Sequence, residues 1–243
     1  MAGLWVTIDT LPQRFSFTGR NEVVATLRGL DEDSRREIIA TTVQNVSREL
    51  LLRFEFSVLA RVELLAEQVI RSLNEGNPLV AGVATRALME LTIFFIDLTG
   101  EVEALRGTAP FARLRLMDPA VQTGLAKWEE EAFLPTRIRS LQEGGLVEAK
   151  NILTRIDHVV RMDPEGAAIR EAYSRLCELS HPNAPSSLAV TSPEVGKPTL
   201  TRGRSVPGQP ALIMTILPPL RWSAERLVAT ASKVRTLARE MAT

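Results

Sequence analysis

The stretch DEDSRREIIATTVQNVSRELLLRFEFSVLARVELLAEQVIRSLNEGNP, residues 31–78, decides the fold class. Its apolar residues Ile39, Val43, Val46, Leu50, Phe54, Val58, Val62, Leu65, Val69 and Leu73 recur in steps of three or four. That is the period of one helix face turned to a core. Asp31, Asp33 and Ser34 supply cap and first-turn groups at its start. Asn74-Glu75-Gly76-Asn77-Pro78 ends it. Gly76 can take a left-handed cap, and Pro78 can open the next helix at its first position. The spacing predicts a helix of about 40 residues, against a typical ~8–20, with a kink near Arg53 to Phe56 as an option.

The next stretch, Pro78 to Leu98, is apolar nearly all round and predicts a central helix ended by Gly100. It carries Arg86, Glu90 and Asp97, a charge density that argues against a membrane span. Asp118-Pro119 and Leu134-Pro135 each have the cap-plus-proline form of a helix start. Gly144-Gly145 precedes a helix expected from Val147 to Met162. Asp163-Pro164 opens another, which closes at Ser180-His181-Pro182. Residues 182–210 are rich in Pro, Ser and Gly and predict a loop, or a small β-hairpin around 187–202. The last helix carries a repeat of Leu220, Ala224, Leu227, Ala231, Val234 and Ala238, with Pro218-Pro219 either starting it or kinking a longer helix from Ala211.

The expected architecture is all-α, a multi-helix bundle with long antiparallel helices. Residues 1–30 are expected to pack on a bundle core at 31–181; residues 182–210 form the loop or hairpin; a basic helix at 211–243 completes the bundle.

Composition sets outer bounds. The 243 residues are 45% hydrophobic and 24% charged, which excludes bulk disorder, and zero net charge excludes a chain basic throughout. A single cysteine, Cys177, excludes an internal disulfide framework and a cysteine metal cluster. The first residues, MAGLWVTIDTLPQRF, have neither the basic start nor the long apolar run of a secretory signal. A reducing, cytoplasmic setting is the expectation. The only histidines are His158 and His181, too few for a multi-histidine metal site. GxxxxGK[ST], GxGxxG after a strand, HExxH and GxSxG do not occur, so no cofactor or metal is expected. The acid runs Asp31-Glu32-Asp33 and Glu129-Glu130-Glu131 read as solvated helix faces. From Lys197 onward there are eight basic residues against two acids, a net +6. Such a tail suits either a polyanion or an acidic neighbouring surface.

Two constellations carry chemistry. Arg86 and Glu90 stand at i,i+4 and share a helix face, with Asp97 nearly in line. They are either a polar network inside the bundle or the wet stripe of a buried helix. The second is EAYSRLCELSHPN, Glu171 to Asn183, with Arg175 and His181 six apart at a helix end and Tyr173 and Ser180 seven apart. Pro182 displaces His181 from helical phase, which lets the imidazole swing towards Arg175. The plainer alternative is packing plus a histidine at the helix C-terminus, which the helix dipole favours.

The pairing of RALME (Arg86 to Glu90) with YSRLCELSHPN resembles an uncharacterised bacterial all-helical family with an Arg…Glu helix and a later Tyr-x-x-Leu-Ser…His-Pro helix end. More distantly, the Arg-x5-His spacing is similar to that of HEPN domains, helical bundles many of which are metal-independent RNases of toxin–antitoxin and other bacterial defence systems. The resemblance spans about 100 residues, from the second helix to Pro182. HEPN RNases usually place a polar residue directly after the arginine, where this chain has Leu176. The resemblance implies a homodimer that acts on RNA or binds a nucleotide. His181 would be the general acid or base and Arg175 the phosphate clamp. Tyr173, Ser180, Arg86 and Glu90 would support them. The rival expectation is a non-catalytic helical interaction or scaffold protein.

Overall fold

A computed structural model describes residues 30–107, 111, 118–133, 151–180, 191–194, 197–200 and 209–242. Among them the fold is all-α, with six helices: α1 (Glu32–Asn74), α2 (Pro78–Arg106), α3 (Pro119–Phe133), α4 (Ile152–Met162), α5 (Gly166–Ser180) and α6 (Gln209–Glu240). The backbones of 191–194 and 197–200 pair antiparallel as β1 (Thr191–Glu194) and β2 (Lys197–Leu200), with Thr191 opposite Leu200. A two-stranded ribbon of that length is marginal alone. The fold class therefore rests on the helices, and the hairpin expected around 187–202 is no part of the supported architecture. Residues 1–29 of the expected N-terminal segment 1–30, and the helix start at Leu134-Pro135, lie outside the described residues.

The first helix forms for the reasons its sequence gives. Asp31 caps it by accepting from the Ser34 N–H at 2.8 Å. All ten residues of its apolar stripe are buried or half-buried. It runs 43 residues as one assigned helix, without a break near Arg53. Gly76 closes it at φ 70°, a left-handed conformation that favours glycine. Asn77 then caps α2 and Pro78 opens it.

The central position of α2 holds: from Ala81 to Thr99 only Val83 is exposed. By length and composition alone it would suffice to cross a membrane. In the bundle its two faces feed two separate cores. Leu88, Leu91, Phe95, Leu98 and Val102 pack with α1, α3 and the C-terminal half of α6. Ala81, Ala84, Met89 and Ile93 pack with α4, α5 and the N-terminal half of α6. Close approach matters at Gly82, where an added Cβ would lie 3.0 Å from Leu179 Cδ1 of α5.

Three boundaries differ from expectation. The second helix passes through Gly100 and ends at Gly107, φ 65°. A glycine inside a helix costs only about 1 kcal/mol, and the burial of Leu98 and Val102 on either side offsets it. The described start of α4 is Ile152, capped by Asn151, rather than Val147. The last helix takes the longer of its two expected forms: Pro218 and Pro219 lie inside it. Its expected seam is also corrected at Ala224, which is exposed, while Trp222 and Ser223 face inward there.

Phe54 anchors the larger core. It is 1% exposed, with ring centroids 5.4 Å from both Phe95 and Trp128. Phe54→Ala is expected to lower unfolding free energy by about 3–5 kcal/mol, measured by urea denaturation. A loss below about 1 kcal/mol would show that this aromatic cluster does not hold α1 to α2 and α3.

Candidate functional site

Helical spacing places Arg86 and Glu90 one turn apart on α2, and α5 brings Tyr173 to them. Arg86 Nε donates to Glu90 Oε1 at 3.0 Å, and the Tyr173 hydroxyl donates to the same oxygen at 2.9 Å. The Arg86 guanidinium also lies over the Tyr173 ring, 5.6 Å from its centroid. Tyr173 is buried, while the Arg86 and Glu90 side chains keep 26% and 33% of their exposure. The pair is thus a network joining two helices, set at the edge of the core. Burial first, then the Glu90 hydrogen bond and charge, pushes the Tyr173 hydroxyl well above the usual phenol range. Tyr173 therefore stays protonated and acts as a donor. Burial pulls the Arg86 guanidinium down, but the Tyr173 hydrogen bond and the nearby Cys177 and Glu90 outweigh it and hold it above its ordinary value.

The other expected residues are not gathered there. Arg175 follows Tyr173 by two residues, about 200° round the helix. With Tyr173 turned to α2, Arg175 faces solvent and pairs with Glu171 at 2.6 Å, both more than 60% exposed. Ser180 donates to the Leu176 carbonyl of its own helix at 2.9 Å. His181 lies outside the described residues.

A second polar cluster was not anticipated from the sequence. Asp97 is 1% exposed, within the apolar run Ile93–Leu98 of α2. Its carboxylate accepts from Arg155 Nη1 at 2.5 Å through one oxygen and lies 2.6 Å from His158 Nδ1 through the other. A carboxylate only accepts, so Nδ1 carries a proton, and in the neutral ring Nε2 is then the acceptor. Arg155 also reaches Glu131 of α3 at 2.8 Å and lies over the Phe94 ring at 5.1 Å. Glu131 is only 14% exposed, which corrects the reading of its acid run as a solvated face. The sequence signals were Asp97 within the apolar run Ile93–Leu98 and the i,i+3 pair Arg155 and His158 on α4.

A third group ties the turn after α4 to α6. Arg226 grips Asp163 through Nε at 2.6 Å and Nη2 at 3.0 Å. Trp222 Nε1 reaches the same carboxylate at 3.4 Å, and Asp163 also accepts from the Glu165 N–H at 2.9 Å. Burial raises the Asp163 carboxyl, but Arg226 and the Glu165 amide more than offset this and leave it below its usual value. Among the described residues no cluster of histidine, cysteine and carboxylate side chains suits a metal ion.

Fold and polar clusters together define an all-α bundle whose central helix carries charged groups to several of its neighbours. No protein-family model, curated protein or solved structure matches the chain.

Two predictions follow from these geometries. Tyr173→Phe removes one donor and should cost about 1 kcal/mol, whereas Glu90→Ala strands both Arg86 and the buried hydroxyl and should cost about 1–3 kcal/mol. Equal, negligible losses in thermal melts would return Arg86 and Glu90 to the wet-stripe reading. The second concerns pH. A carboxyl lowered in the folded state stabilises above the unfolded carboxyl pKa of about 3.9 and loses that contribution as pH falls through the folded value. Wild type should therefore out-melt Asp163→Asn most clearly above pH ~4, and the gap should close in more acid buffer. A gap that is constant from neutral to strongly acid pH would contradict the Arg226–Asp163 assignment.

Proposed function

We propose that this chain is a HEPN-like metal-independent RNase, or an RNA- or nucleotide-binding protein, built on a helical bundle. The observation that carries the reading is the Tyr173–Glu90–Arg86 contact. It joins the two segments, RALME and YSRLCELSHPN, on which the resemblance rests. Arg175 is compatible with a phosphate clamp because its pair with Glu171 is exposed. Such surface pairs are worth about 0–1 kcal/mol, so a phosphate can take the guanidinium over.

In this reading His181 removes the proton from a ribose 2′-hydroxyl, whose oxygen attacks the adjacent phosphorus. The 5′-oxygen leaves and takes a proton, and a 2′,3′-cyclic phosphate remains. Arg175 holds the phosphate oxygens, and Arg86, Glu90, Tyr173 and Ser180 fix the helix that presents it. A homodimer would bring two such helix ends together, and the basic residues after Lys197 would hold the RNA backbone. A cytoplasmic role in a bacterial defence or toxin–antitoxin type system goes with this proposal.

A second reading, a non-catalytic helical interaction protein, has its own support. Phe56, Leu64 and Ile70 of α1 are 74%, 68% and 59% exposed. At 100° per residue they fall within an arc of about 120°. In that reading the 182–210 connection, hairpin included, is a partner-binding arm.

The deciding experiment incubates purified protein with RNA, with and without chelator, beside His181→Ala and Arg175→Ala. Chelator-resistant cleavage that is lost in both variants is the expected result. Neither cleavage nor calorimetric binding of nucleotides, in variants that merely melt earlier, favours the interaction protein.

A further inference from the structure

Beside the Asp97 cluster, α2, α4 and α6 part to leave a cleft of about 770 Å³. That is the size of a small-molecule pocket, typically ~300–1,000 Å³. It shares no residue with the Arg86–Glu90–Tyr173 contact. Three features define what it would take.

The first is charge. The cations on its wall are Arg226 and Lys233. Both are engaged by carboxylates: Arg226 by Asp163, and Lys233 by Glu103 at 2.7 Å. With Glu101 also on the wall, the carboxylates outnumber the cations, and the cleft presents no net positive charge to an anionic ligand. Much of the remaining wall is apolar, from Ile96, Val159, Met162 and Ala229.

The second is His158. Its side chain is 42% exposed, while the Asp97 beneath it is 1% exposed. The ring is anchored by Nδ1, and in the neutral ring Nε2 is the hydrogen-bond acceptor.

The third is an orphaned hydroxyl. Thr85, Thr92 and Thr99 stand one heptad apart on α2. Thr85 and Thr92 each donate to a carbonyl four residues back, at 2.8 Å. Thr99 is 1% exposed, lines the cleft, and its Oγ1 has no partner. A buried hydroxyl without a partner is costly and calls for explanation.

We propose that this cleft binds a small, neutral, mostly apolar molecule carrying a phenolic or alcoholic hydroxyl. The ligand hydroxyl donates to His158 Nε2, and Thr99 Oγ1 supplies the second hydrogen bond. The apolar body lies along Val159, Met162 and Ala229. This site is independent of the RNA or nucleotide reading.

The test is a fluorescence titration of the full chain with 2-naphthol, 2-methoxynaphthalene and 2-naphthalenesulfonate. Wild type should bind 2-naphthol saturably and in preference to the sulfonate. His158→Phe keeps a ring in place and leaves Asp97 with Arg155. It should weaken 2-naphthol about tenfold, the worth of one hydrogen bond, and leave the methoxy compound unchanged. Thr99→Val, close in shape, should weaken 2-naphthol several-fold and decides the matter if His158→Phe does not fold. Ala229→Trp, folded by circular dichroism, should block both neutral probes. The proposal is overturned by no saturable 2-naphthol binding, by equal affinity in wild type and the folded polar-site variants, by unchanged binding in Ala229→Trp, or by preference for the sulfonate.

Discussion

A carboxylate 1% exposed within the central helix sets the terms for much of this bundle. Isolated in an apolar interior, a charge costs several kcal/mol, which only a close counter-charge with good hydrogen bonds offsets. Asp97 meets that demand with Arg155, itself 6% exposed, and with His158. Arg155 has further donors, and Glu131 takes one of them. One buried acid therefore fixes α4 against α2 and draws α3 into the same network. The apolar contacts of these helices favour burial in general; the hydrogen bonds favour this register in particular.

The same logic runs along the rest of α2. Arg86 and Glu90 address α5 through Tyr173, Asp97 addresses α4 and, through Arg155, α3, and Glu103 addresses α6 through Lys233. These links differ in worth. The Glu103–Lys233 pair is 39% and 49% exposed, so water screens it, and it contributes up to about 1 kcal/mol. The Asp97–Arg155 pair is dry, and removing one partner would typically cost ~3–5 kcal/mol. A helix buried on almost every side thus has its strongest polar link where both partners are nearly dry.

How much of this the sequence discloses depends on whether the information is local. The extent of α1 is legible because its stripe, cap and Gly76 stop are all set by neighbours in the chain. The Arg86–Glu90 pair is legible for the same reason, being one helical turn. The end of α2 is not, because local rules stop a helix at Gly100 while packing at Leu98 and Val102 carries it on. The Asp97 cluster is less legible still: its bonds join residues 58 and 61 positions apart, and no local spacing records them. Arg175 is an instructive middle case. Helical phase alone, about 200° from Tyr173, sets it on the far side of α5. What the sequence lacks is which of the two faces the core.

Asp163 shows how a turn residue can govern a site without belonging to its chemistry. It sits where α4 gives way to α5, bonds the Glu165 amide, and so holds the turn that Gly166 makes possible. A Cβ at Gly166 would fall within 2.0 Å of the Val160 carbonyl oxygen, so the chain has room for glycine alone. From that fixed turn the Asp163 carboxylate reaches Arg226 and Trp222 of α6, four residues apart on one face. The contact follows directly after Pro218 and Pro219, where α6 lacks two backbone N–H donors and its own helical bonding is weakest. Trp222 and Arg226 thus anchor α6 as it recovers. The same ion pair removes the charge that Arg226 would otherwise present to the neighbouring cleft. An unpaired guanidinium there would favour a phosphate or a carboxylate. Bound to Asp163, it leaves a wall whose cations are matched by carboxylates, with the His158 imidazole and the Thr99 hydroxyl beside the apolar surface, and the character of the cleft follows in part from a residue placed to make a turn.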